Sequence, residues 1–154
     1  MLIGIFEKRQ IFVAKKHKIG FMSKYFTINE LTRSDKARQN GIENIPSQVV
    51  TLKLQQLIER VLDPLRELWG APLLITSGYR CTRLNRIVGG AENSQHIVGE
   101  AADLTAGSRA DNRALYEMAV RSSIPYDQII LEKGGVWIHI SYRRNHPRRQ
   151  NLEL

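Results

Sequence analysis

Cysteine is nearly missing from this 154-residue chain. The single one, Cys81, cannot form an internal disulfide, so no covalent framework and no oxidising compartment is required. Histidine is also sparse, at four residues, so any metal site must draw on a short roster. Nor does any apolar run approach the eighteen or so residues of a membrane span. The opening MLIGIF lacks a basic segment before it, is cut short by EKRQ and has no small-residue cleavage site, which argues against a signal peptide and for a cytoplasmic start. Internal repeats, low-complexity tracts and Pro/Ser-rich linkers are absent as well, so one compact unit is expected, a monomer by default.

What is present suits a soluble globular domain: 42% apolar and 25% charged residues. The net charge of +8 sits at the ends. Residues 1–21 carry Lys8, Arg9, Lys15, Lys16 and Lys18 against Glu7, and the last dozen carry Arg143, Arg144, Arg148 and Arg149 against Glu153. The middle is nearly neutral, which speaks against a basic groove for specific nucleic acid and for solvated termini. We therefore divide the chain into a basic extension (1–21) that the fold does not need, a folded domain (22–142) and a basic tail (143–154).

Within the domain, Thr27 and Glu30 have capping-box spacing and predict a helix start. Val50, Leu54, Leu57, Val61, Leu65 and Leu68 recur at three- and four-residue intervals and predict a main helix over 47–69, kinked by Pro64 near Leu62-Asp63. PLLITS (72–77) reads as a buried strand and AADLT as another. A second helix is expected from an Asp111 N-cap, with Ala114, Leu115, Met118 and Ala119 inward. YDQIILEKGGVWIHISY predicts a hairpin turning at Gly134-Gly135. Helices followed by a small antiparallel sheet define an α+β fold.

His17 and His146 fall in the basic ends and read as solvated. His139 alternates with Ile138 and Ile140, which alone suggests a half-buried histidine satisfied by its neighbours. His96 taken alone says no more. Asp103, seven residues on, alternates with Ala101 and Thr105, leaving a carboxylate with room beside it.

Taken together, three ordered blocks, ITSGYR, SQHIVGEAAD and WIHIS, resemble the zinc D-alanyl-D-alanine carboxypeptidases and related phage peptidoglycan endopeptidases, whose fold extends to the hedgehog signalling domain. SQHIVGEAAD matches the family's S-x-H-x-x-G-x-A-x-D signature, and the resemblance covers about residues 23–142. It implies a central antiparallel sheet flanked by helices and one Zn2+ held by His96, Asp103 and His139. It further implies Arg80 as the residue contacting substrate or stabilising an oxyanion, and Ser94 and Tyr79 as substrate-binding candidates. The substrate class would be peptidoglycan stem peptides, cut by a carboxypeptidase or endopeptidase acting on the wall after release or export.

One position departs from the pattern. Family members place a glutamate three residues before the last histidine, or a histidine two before it, and here Val136 and Trp137 stand there. The nearest carboxylate is Glu132: a two-residue turn pairs it with Trp137 and puts it diagonal to His139, whereas a three-residue turn points it away. Glu132 is the expected general base, ahead of Glu92 and Glu100. A zinc-containing binding module without catalysis is the alternative.

Overall fold

The computed structural model describes residues 23–154; the 1–21 extension, with His17, lies outside the described residues. Among the described residues six α-helices, one π-helical turn and five strands follow one another: α1 (Ile28–Thr32), α2 (Asp35–Gln39), α3 (Gln48–Leu57), the π-helical turn (Ile58–Leu62), α4 (Asp63–Trp69), β1 (Leu74–Ser77), α5 (Thr82–Ile87), β2 (Ala101–Thr105), α6 (Arg109–Arg121), β3 (Gln128–Glu132), β4 (Trp137–Ser141) and β5 (Gln150–Glu153). The class is α+β, with strand order β1-β2-β4-β3-β5. The antiparallel sheet expected from the sequence holds for four strands, but β5 runs parallel to β3, so the sheet is mixed. β5 comes from the segment read as a basic tail: Gln150 to Glu153 pair with Gln128 to Leu131. Its charged composition concealed an edge strand, where polar residues are tolerated because one side faces water.

The predicted capping box forms at α1, with Thr27 accepting from the Glu30 N–H and Glu30 accepting from the Thr27 N–H. The main helix runs as expected from the Ser47 cap but does not simply kink at Pro64. Instead the Asp63 N–H reaches back five residues to Ile58, giving the π turn that precedes the proline. Pro64 has no N–H to donate and its ring crowds the carbonyl four residues earlier, and a widened turn absorbs both defects. Its buried stripe is Leu54, Leu57, Ile58, Val61, Leu62 and Leu65, while Leu68 is 49% exposed. Two further expectations shift. α6 starts earlier, capped by Ser108, whose side chain accepts from the Asp111 N–H, and its inner face is Asn112, Leu115, Tyr116 and Ala119, with Ala114 exposed. β1 is an edge strand, not a buried one, with Leu74 65% exposed.

The two faces of the sheet differ in chemistry. Ala102, Leu104, Ile129, Leu131, Ile138 and Ile140 are fully buried and join α3, α4 and α6 in one core. Because side chains alternate, the residues between them, Asp103, Ile130, Glu132, Trp137 and His139, point to the opposite face, away from the helices. Among the described residues no helix is long and apolar enough to cross a membrane.

Candidate metal centre

Asp103 and His139 are direct cross-strand partners on β2 and β4. A register irregularity in β1 between Ile75 and Ser77 sets Ser77 opposite Asp103, on the same polar face. His96 comes from the irregular loop before β2, and Gly99, with φ of 75°, turns that loop under the sheet; a side chain there would strike Val50. The three residues converge. His96 Nε2 lies 3.2 Å from Asp103 Oδ1 and 3.2 Å from His139 Nδ1, and His139 Nδ1 lies 3.0 Å from Asp103 Oδ1.

Hydrogen bonding fixes how these atoms present themselves. His96 Nδ1 is 2.7 Å from the Gly78 carbonyl, which can only accept, so Nδ1 carries a proton. Burial pushes His96 below the ordinary imidazole range, against the pull of Asp103, and Nε2 is the ring atom turned toward Asp103 and His139. Burial disfavours the Asp103 carboxylate too, but His96 and His139 outweigh it and hold the carboxyl well below its usual range. Two imidazole nitrogens and a carboxylate oxygen thus converge in a largely buried site, an arrangement suited to a cation. Four-coordinate zinc with bonds of about 2.0–2.1 Å sets its ligand atoms about 3.3 Å apart, close to the observed triangle. The donor set, two nitrogens and one oxygen with a cleft beyond them, fits zinc with an open position.

Arg80 braces Asp103. Its Nη2 donates to Asp103 Oδ2 at 2.6 Å and its Nε to Ser77 Oγ at 2.8 Å, so the fork spans β1 and β2. Such a partner fixes a metal-ligating carboxylate by occupying its second oxygen. His96, Asp103, His139, Arg80, Ser94 and Glu132 line one cleft of about 700 Å³. Ser94 also caps the loop locally, its Oγ accepting from the His96 N–H at 3.3 Å.

Glu132 pairs with Trp137 and Ile130 with His139, the register that a two-residue turn was expected to give. The connection is in fact four residues, 133–136, and its even length preserves the face. Asn112 of α6 holds this turn, donating to the carbonyls of Gly135 and Val136 at 2.9 and 3.0 Å, and Arg109 Nη1 donates to that of Lys133. Tyr79 is not brought to the cleft. Its N–H donates to Leu31 and its carbonyl accepts from Asn44, and its ring packs against the core beside a separate groove. His146 is exposed in the loop before β5. Sequence reasoning also missed Gln95, Asp127 and Arg148, which bond to one another beside the cleft. Gln95 adjoins His96, but nothing local marks Arg148 as the partner of an aspartate 21 positions earlier.

A helix-backed sheet carrying a His-Asp-His cluster and a carboxylate in one open cleft defines a class, that of proteins with a single-metal hydrolytic site. The chain belongs to the peptidase M15 family, whose model matches residues 24–141. A curated relative, the zinc D-Ala-D-Ala carboxypeptidase of Streptomyces albus G, is 50% identical over 38 residues, 25% of this chain. The matched stretch is 15% of that relative's length.

Proposed function

We propose that the protein is a zinc-dependent peptidase hydrolysing peptide bonds in peptidoglycan stem peptides, as a carboxypeptidase or endopeptidase. The observation that carries this reading is the His96–Asp103–His139 triangle, with His96 and Asp103 buried and His139 half-buried, facing the cleft that also holds Glu132. The M15 membership and the name of the Streptomyces relative support the metal and the substrate class.

His96, Asp103 and His139 would hold the ion, which supplies Lewis acidity, polarising the scissile carbonyl and making water acidic enough to attack near neutral pH. Arg80 keeps Asp103 oriented and presents permanent positive charge where negative charge develops. Glu132 accepts the proton of the attacking water and returns it to the departing amine, so that the amine leaves neutral. Its carboxylate makes no hydrogen bond or ion pair among the described residues, which leaves it free for this exchange.

Val136 and Trp137, at the positions where the resembling peptidases carry a base, favour the second reading, a zinc-containing binding module without catalysis. Glu132→Gln separates the two. The peptidase reading expects zinc content to stay at one per chain while muropeptide hydrolysis falls at least a hundredfold. Full hydrolysis in this variant removes Glu132 as base, and a wild-type chain that binds zinc and muropeptide without cleaving it establishes the module.

A further inference from the structure

The three ligand positions are not equally secure. Asp103 and His139 stand in register on hydrogen-bonded strands, whereas His96 stands on a loop without regular structure. The precision of the triangle is therefore limited by what holds that loop. One tether acts on the ring, from Gly78. A second acts on the residue before it. Gln95 Nε2 donates to Asp127 Oδ2 at 3.0 Å, Gln95 Oε1 accepts from Arg148 Nη2 at 2.9 Å, and Arg148 Nη2 donates to Asp127 Oδ2 at 2.6 Å, so the three side chains close a triangle. Asp127 is the anchor: its side chain is fully buried, its Oδ1 accepts from the Arg148 N–H, its own N–H donates to Ser141 at the end of β4, and its carbonyl accepts from Gln150 at the start of β5.

We infer that Gln95, Asp127 and Arg148 form a clamp that positions His96 for the metal, and that the segment leading into β5, beyond the stretch shared with the family, is part of that centre's architecture. The inference rests on the zinc reading above. Arg148 acts twice. It neutralises a buried carboxylate that would otherwise be costly, and its fork extends from that carboxylate to the side-chain oxygen of Gln95. Gln95 carries the restraint into the His96 loop, and a second contact, from its Nε2 to Glu100 Oε2 at 3.3 Å, bridges the loop to the start of β2. A ligand held in place before binding loses less freedom when the ion arrives, and loss of such outer partners weakens metal affinity about 10–100-fold.

The test uses the full chain, with zinc affinity from competition against a chromophoric chelator, the visible spectrum of the cobalt-substituted protein, and thermal melting of the metal-free form. Gln95→Met removes the amide but leaves the Arg148–Asp127 pair. Arg148→Lys keeps charge against Asp127 but lacks the fork that reaches Gln95. Both are expected to weaken zinc binding about tenfold and alter the cobalt spectrum, with Gln95→Met melting close to wild type without metal. Affinities within twofold of wild type with unchanged spectra overturn the clamp, as does weakening in Gln95→Met matched by an equal loss of metal-free stability. A wild-type chain that binds neither ion overturns the metal centre itself.

Discussion

Arg80 shows how one side chain can carry a contact that no motif announces beside the role a resemblance implies. The resemblance casts it toward substrate, and the structure commits Nη2 to Asp103 and Nε to Ser77. Its removal acts first on the metal ligand, so Arg80→Ala is expected to weaken zinc binding about tenfold or more, and part of the lost activity should return in excess zinc. A variant with wild-type zinc affinity but reduced turnover would assign Arg80 to substrate alone. The candidate triad itself was legible, because its residues lie in two motifs of fixed internal spacing, SQHIVGEAAD and WIHIS. Tyr79 was not. Its position in SGYR is plain, but its direction depends on backbone bonds to Leu31 and Asn44, residues 48 and 35 positions away, which no local spacing encodes.

Among elements, legibility followed periodicity. The capping box, the long helix and the hairpin register were all readable, since each is written within a short window. β1 and β5 were misjudged because edge or interior is a matter of partners, not of composition. The link from β1 to α5 shows a further constraint of this kind. A Cβ on Gly78 would lie 2.2 Å from the Leu31 carbonyl oxygen, so the chain passes α1 too closely for any side chain. The same residue's carbonyl sets the His96 tautomer. Gly78→Ala should therefore cost about 1–3 kcal/mol in urea denaturation and lower zinc affinity together. Loss of stability with unchanged zinc affinity would show that the backbone shift leaves the Gly78 carbonyl in place.

Across the molecule, the buried Asp127 ties together the His96 loop, β4 and the segment leading into β5, and this gives folding a pH dependence whose sign follows from its partners. Burial alone would raise its carboxyl above the ordinary 3.8, but the side-chain and backbone hydrogen bonds from Arg148 reverse that and lower it. A carboxyl that ionises more readily folded than unfolded stabilises the fold above the unfolded value and loses that contribution as pH falls through the folded one. Asp103 is lowered as well and contributes with the same sign, so the slope of wild type alone does not isolate Asp127. Comparison with Asp127→Asn does. At pH 7 the variant leaves the half-exposed Arg148 guanidinium without its anion, water takes over part of that lost interaction, and the variant should be less stable by about 1–2 kcal/mol. As pH falls below the ordinary 3.8 the unfolded wild-type chain takes up a proton that the folded carboxyl still refuses, and once the folded carboxyl is protonated too it comes to resemble the amide, so the gap in urea midpoints should narrow. A gap that stays constant from pH 7 to pH 3 would mean that the Asp127–Arg148 pair contributes packing but no net charge interaction.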